Sequence, residues 1–232
     1  PEIMSLAGPS PHVSPEQFHL EIEKSDPKVV VVDVRNEYEA KIGRFPGAIV
    51  LPARQFSDVP GLLMPMIENE VLRDKRVLMY CTGGVRCEKS SALLRAHGIT
   101  NVGQLEGGIH CYLEAFPDGG HFRGKNFVFD TRIALEPDGA KPDSRVIGRC
   151  TLCSCEYDDY APNRRCRGCR VLMLVCDSCA DIYGEDKLLC DVACPGLRPK
   201  QTKTRGSRRR RKQAEPAQKF SESQVVPSSA GA

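Results

Sequence analysis

The stretch Val77-Leu78-Met79-Tyr80-Cys81-Thr82-Gly83-Gly84-Val85-Arg86 decides the fold. Its first four residues form an uninterrupted apolar run of strand length, the pattern of a parallel strand covered on both faces. Cys81 follows directly at the carboxyl end, where open α/β sheets place their chemistry. Gly83 and Gly84 permit backbone angles that a side chain disfavours. The amides from Thr82 through Val85 to Arg86 are therefore expected to turn inward around an anion, with a helix starting near Cys87 to Lys89. Those amides, the helix N-terminus and the Arg86 guanidinium all favour a thiolate, so the Cys81 pKa is expected below the free value of about 8.5.

Working outward, Ser14-Pro15-Glu16 reads as an N-cap with proline at the first helical position, and Phe18 and Ile22 share one face of the helix that follows. Val29 to Val34 is a second buried strand leading to Arg35. Asn36 to Lys41 can make a helical turn, Gly43, Pro46 and Gly47 mark a turn, and Ala48 to Leu51 is a brief third strand. After the loop, Glu88 to His97 is helical with Gly98 as its C-cap, Val102 to Leu105 is a strand, and Ile109 to Phe116 is helical up to Pro117. Strands alternating with helices predict the α/β class, a parallel sheet with helices on both faces. Asn126 to Asp130 reads as one more short strand, and Pro137, Asp138, Gly139, Pro142 and Asp143 as a linker.

The net charge of +3 over 232 residues hides an asymmetry: residues 1–197 carry 23 basic and 28 acidic side chains, and residues 198–232 carry ten and two. The tail, with Arg205, Arg208, Arg209, Arg210, Arg211 and Lys212, is expected to be disordered and to do the attracting. The apolar stretches reach only about six residues, far short of the ~20 of a membrane span, so no membrane partner is expected. No secretory leader is seen, and Pro1 at the start suggests a fragment or processed form. Nine of the twelve cysteines fall between 150 and 194. Without a leader, metal binding in a reducing intracellular compartment, the cytoplasm first, is favoured over disulfides.

Asp33-Val34-Arg35, the turn Gly43-Arg44-Phe45-Pro46-Gly47-Ala48, the CxxGxR loop from Cys81 to Arg86 and Leu105-Glu106-Gly107-Gly108 together resemble a rhodanese domain. The resemblance implies a rhodanese-like parallel sheet and transfer of sulfane sulfur through a persulfide on Cys81. The longer string Met79 to Glu88, the segment Gly124 to Arg132 and the following cysteine cluster are similar to the bacterial oxygen-dependent tRNA uridine hydroxylases, which act on the wobble uridine, and to their eukaryotic rhodanese-domain relatives. That subfamily carries a ferredoxin-like domain ahead of the rhodanese unit, and Glu2 to Leu6 resembles the stretch joining the two. The expected organisation is thus a connector remnant at 1–13, a rhodanese domain at 14–124, a short strand and linker at 125–148, a cysteine-rich zinc module at 149–197 and the basic tail at 198–232.

Within this frame Cys81 is the candidate reactive residue, and Arg86 orients and charges its anion. Cys87 is either a resolving thiol for an oxidised or persulfidated Cys81 or simply the start of a helix. Cys111 reads as a small buried hydrophobe. Asp33 and Arg35 read as a structural ion pair, and His97 and His110 as isolated surface or packing residues.

Cys150 and Cys153, Cys166 and Cys169, Cys176 and Cys179, and Cys190 with Cys194 offer eight thiolates, enough for two structural tetrahedral zinc sites. Sequential and interleaved pairings remain open, and Cys155 can substitute for Cys153. The segment has little apolar core of its own, so metal would supply its folding energy. Arg149, Arg164, Arg165, Arg167 and Arg170 surround these ligands and point to a phosphate backbone as partner. Three functions compete: uridine 5-hydroxylation on tRNA with molecular oxygen, sulfur transfer from thiosulfate or a persulfide donor, and a non-catalytic zinc-binding interaction module.

Overall fold

The computed structural model describes residues 8–139, 146–191 and 194. The connector at 1–7, residues 140–145 of the linker region and the basic tail fall outside the described residues. Among the described residues no helix is long and apolar enough to cross a membrane.

Five strands make one parallel sheet: β1 (His12–Val13), β2 (Val29–Asp33), β4 (Ile49–Val50), β5 (Arg76–Tyr80) and β6 (Val102–Leu105). Their order is β1-β6-β5-β2-β4, which puts β5 at the centre. The pleat of β5 sends alternate side chains to opposite faces. Val77, Met79 and Cys81 enter one core with Val32, Leu63 and Leu94. Leu78 and Tyr80 enter the other with Phe18, Phe45 and Tyr112. An all-apolar strand between two cores is what the run at 77–80 predicts.

The helices of the two faces lie where the sequence indicates, with one early start. Ser14 caps α1 (Pro15–Glu23), its hydroxyl accepting from the Gln17 amide at 3.3 Å, and Phe18 anchors the helix in the core. α4 (Val85–Ala96) starts at Val85, two residues before the expected range, because Gly84 takes the left-handed conformation (φ +84) and closes the loop early. α5 (Gly108–Ala115) follows β6.

Several elements escape the sequence reading. β1 lies where only connector was expected and forms the sheet edge against β6. α3 (Val59–Glu68) carries Pro60 near its start and Pro65 inside it; these prolines mask a helix that buries Val59 and Leu63.

Past α5, β3 (Gly43–Arg44) pairs with β7 (Arg123–Gly124), and β8 (Asn126–Phe127) with β9 (Ala134–Leu135). The cysteine-rich segment adds α6 (Asp177–Tyr183) and turns closed by bridges between Arg149 and Glu156 and between Arg165 and Leu172. Its core is richer than the sequence implies. Met173, Val175, Ala180 and Leu188 pack with five buried cysteines, so the thiols themselves are the core. A second cluster of Ile42, Phe127, Tyr160, Leu172 and Leu174 joins this segment to the sheet domain, and the Tyr160 hydroxyl donates to the Tyr38 carbonyl at 2.7 Å.

Candidate active site and metal centres

Cys81 lies at the carboxyl end of the central strand and is only 1% exposed. Hydrogen bonding from the Cys87 thiol is the strongest influence on it; burial opposes the charge, and Arg86 with the amides of Arg86 and Cys87 restores it. The outcome is a thiol pKa of about 6. The amides that reach the sulfur are thus those at the start of α4, whereas a cradle spanning Thr82 to Arg86 was expected. Cys87 is itself fully buried, and burial together with donation to Cys81 pushes its own pKa well up. One cysteine is therefore poised as an anion and the other as its proton donor.

The loop keeps its shape through its neighbours. The Ile109 amide donates to the Cys81 carbonyl at 3.0 Å and the His110 amide to the Thr82 carbonyl at 3.1 Å. Gly108, at φ +65, makes this approach possible: a Cβ there would sit 2.5 Å from the Cys81 carbonyl oxygen and 2.7 Å from the Gly84 nitrogen. The double glycine after β6 thus serves the cysteine loop. Of the loop's own glycines only Gly84 needs its conformational freedom; Gly83 does not have a positive φ. Val85 stands at the loop mouth, 77% exposed.

Arg86 is held by a residue the sequence did not single out. Its two terminal nitrogens donate to Glu39 Oε1 at 2.6 Å and Oε2 at 2.7 Å, and one of them also reaches Thr82 Oγ1 at 3.1 Å. Glu39 is wholly buried in α2 (Glu37–Ile42) and also accepts from the Asn36 amide at 3.1 Å and the Thr82 hydroxyl at 3.2 Å. Four donors satisfy the carboxylate, which makes the buried charge tolerable. Its sequence signature, an acid three residues after Asn36, reads only as a helix capping box.

Asp33 and Arg35 form the expected structural pair, both fully buried, with Nη2 to Oδ2 at 2.6 Å. Arg35 also donates to the Gly43 carbonyl at 2.6 Å and Tyr80 to Asp33 at 2.7 Å, which fixes the turn after β2. His97 and His110 are exposed. Cys111 is only half-buried, its sulfur filling the space beneath Gly107, so it is not the core residue expected.

The eight cysteines gather into two groups whose sulfurs all lie within 4.8 Å of one another: Cys150, Cys153, Cys176 and Cys179, and Cys166, Cys169, Cys190 and Cys194. The pairs are therefore interleaved, first with third and second with fourth. Cys155 stays outside both groups. Sulfur separations of 3.7 Å (Cys153 to Cys176), 3.5 Å (Cys166 to Cys194) and 3.7 Å (Cys169 to Cys190) match the edge of about 3.8 Å of a tetrahedron with metal–sulfur bonds of ~2.3 Å. Both groups can hold a metal ion. Arg54, from the sheet domain, donates to Cys169 Sγ at 3.1 Å and Cys190 Sγ at 3.6 Å, a cation against the second group.

The arginines of this segment divide. Arg164 is consumed as a strut, bonded to Asp177 at 2.6 Å, Glu185 at 3.2 Å and the Val175 carbonyl at 2.7 Å. Arg170 is exposed and has no ion-pair partner among the described residues.

Comparison with known proteins agrees with this geometry. Residues 14–115 match the rhodanese-like domain family and residues 123–195 the family described as Rhodanase C-terminal. The chain is 46% identical to Rhodanese-like domain-containing protein 6 of Arabidopsis thaliana, over 74% of this chain and 31% of that protein. It is 38% identical to the tRNA uridine(34) hydroxylase of Leptospira interrogans, over 80% of this chain and 48% of that protein. The same identity holds for the tRNA uridine(34) hydroxylase of Chlamydia trachomatis, over 79% of this chain and 54% of that protein. The chain thus spans about half or less of the length of these relatives. The parallel sheet and the cysteine loop at its carboxyl edge are those of a rhodanese domain, and the chain belongs to the rhodanese-domain family.

Proposed function

We propose that this chain is the reactive part of a tRNA-modifying enzyme that hydroxylates a uridine at C5, at the wobble position, through Cys81. The observation that carries the reading is the Cys81 thiolate, held near pKa 6 beside the protonated Cys87. Insertion of one atom of molecular oxygen into a C–H bond leaves the other atom to become water, which takes up two electrons and two protons. Closing a disulfide between the Cys81 thiolate and the Cys87 thiol releases two electrons and one proton, and solvent returns the proton that Cys81 lost on ionising, so the pair balances one turnover and an external thiol then restores it. The tRNA substrate is supported by the similarity to two tRNA uridine(34) hydroxylases. In this reading Arg86, held in place by Glu39, supplies a cation that favours an anionic sulfur, and the amides of Arg86 and Cys87 stabilise charge where it develops.

Both cysteine groups are assigned to structural zinc. Four thiolates fill a tetrahedral ion and leave no position for substrate, so the metal supplies folding energy and holds the Arg54 junction.

Nucleoside mass spectrometry of tRNA from cells carrying the wild-type protein or Cys81→Ser tests the reading. Loss of 5-hydroxyuridine in the variant is expected, and an unchanged level removes it. A second reading, sulfane-sulfur transfer, is favoured by the same thiolate, because a persulfide needs the same amides. It predicts thiocyanate formation from thiosulfate and cyanide, and absence of a Cys81 persulfide under those conditions defeats it.

A further inference from the structure

A cleft of 870 Å³ lies between the sheet domain and the cysteine-rich segment, and its wall residue Phe129 touches Arg86 of the cysteine loop. Its walls include Phe129, Ile133, Arg165 and Arg170. We propose that this cleft binds the unpaired nucleotides that flank the target base, one base stacking on Phe129 and the adjoining phosphates lying on Arg165 and Arg170. This deepens the tRNA reading above and rests on it.

Phe129 is the first observation. It is 67% exposed, a costly position for a phenyl ring, yet it is not loose. Phe127 meets it edge to face at 5.2 Å, and the Arg86 guanidinium lies 5.5 Å from its ring centre. An exposed ring held in place is a stacking platform. Contact with Arg86, whose own amide bonds Cys81, sets that platform next to the reactive sulfur. A base lying over Cys81 would have its neighbour within reach of Phe129.

The platform sits on a strained loop. Ile133 adopts φ +64, a left-handed conformation that a β-branched residue avoids. The loop is closed by the Val128 amide to the Ile133 carbonyl at 2.8 Å, the Ile133 amide to the Asp130 carbonyl at 3.1 Å, and the Arg132 to Asp130 pair at 2.6 Å. Arg170, on the facing wall, is also left-handed at φ +66. Such strain persists where the surroundings fix it, and it concentrates at ligand clamps.

Charge selects the occupant. Two carboxylates line the cleft, and both are engaged: Asp130 by Arg132, and Asp58 by the amides of Arg54 at 3.0 Å and Gln55 at 3.2 Å. Arg54 is turned to the thiolates. Arg165 is oriented by the Pro162 carbonyl at 2.9 Å and the Arg170 carbonyl at 3.3 Å, and Arg170 is unpaired among the described residues. An apolar platform facing surplus guanidinium charge suits a single-stranded polyanion with flat bases.

The test is fluorescence anisotropy of the full 232-residue chain, purified with its metal, against a labelled anticodon stem-loop RNA over a range of salt. Phe129→Ala is expected to weaken binding about tenfold without altering the salt dependence, and Phe129→Trp to restore it. Arg165→Gln with Arg170→Gln is expected to reduce the slope of log affinity against log salt by about 0.7 per arginine. A stem closed by a minimal loop should bind more weakly than the anticodon stem-loop. If the wild type binds the stem-loop and all these variants match it, the cleft proposal falls and the tRNA reading stands. If the wild type binds neither RNA, the tRNA reading falls and takes the cleft with it.

Discussion

Glu39 grips Arg86 with both carboxylate oxygens, at 2.6 and 2.7 Å, and one ion pair thereby ties α2 to the first turn of the helix that carries the reactive loop. Glu39 is fully buried and Arg86 nearly so, at 0% and 16% side-chain exposure. Removing one partner strands a charge in a low-dielectric interior, the expensive case for buried pairs. Arg86→Ala is expected to cost about 3–5 kcal/mol in urea unfolding, and Glu39→Gln added to it to recover part of that. Equal stability of Arg86→Ala and wild type contradicts this role.

Gly108 works on the other side of the loop. Alanine there keeps the strain of φ +65 and adds a clash with the Cys81 and Thr82 carbonyl oxygens and the Gly84 amide. Gly108→Ala is expected to destabilise the fold by about 2 kcal/mol or more and to slow Cys81 alkylation at neutral pH. Thermal melting and thiol labelling of one sample check both, and a wild-type labelling rate opposes the prediction.

The loop's place in the fold was legible in the sequence and its support was not. The apolar run at 77–80, the cysteine at its end and the glycines after it are local signals, and they placed the central strand of the sheet and the loop at its carboxyl end. Glu39 was invisible because a capping-box acid and a buried ion-pair acid have the same local pattern. The prolines of α3 hid a helix, since a proline in its first turn is tolerated and one inside it usually is not. The cysteine spacing picked out the eight thiols that gather into two groups, whereas the interleaving depends on contacts across the segment that pair spacing does not encode.

Interleaving makes a distinct metal prediction. Two zinc ions per chain are expected by elemental analysis, and the double variants Cys150→Ser/Cys176→Ser and Cys166→Ser/Cys190→Ser should each retain one. Sequential pairing predicts instead that each double variant disturbs both sites. Removal of metal by a strong chelator should unfold the segment, because the thiols form its core.

Cys87 is asked to be both proton donor and partner thiol. Cys87→Ala removes the strongest influence holding the Cys81 pKa down and should raise it. Cys87→Ser retains a hydroxyl donor and should restore much of the effect, while neither variant can close a disulfide. Mapping the oxidised protein by mass spectrometry separates the two roles: a Cys81–Cys87 disulfide is expected in the wild type after turnover, and its absence leaves Cys87 as a donor alone.

The central claim is that Cys81 is an anion at neutral pH, and the rate of its alkylation by iodoacetamide as a function of pH tests it most directly. With a pKa of about 6, labelling at pH 7 should already be near its plateau and fall to half about one pH unit lower. A rate that keeps climbing through pH 8.5, as for an ordinary cysteine, would contradict the account.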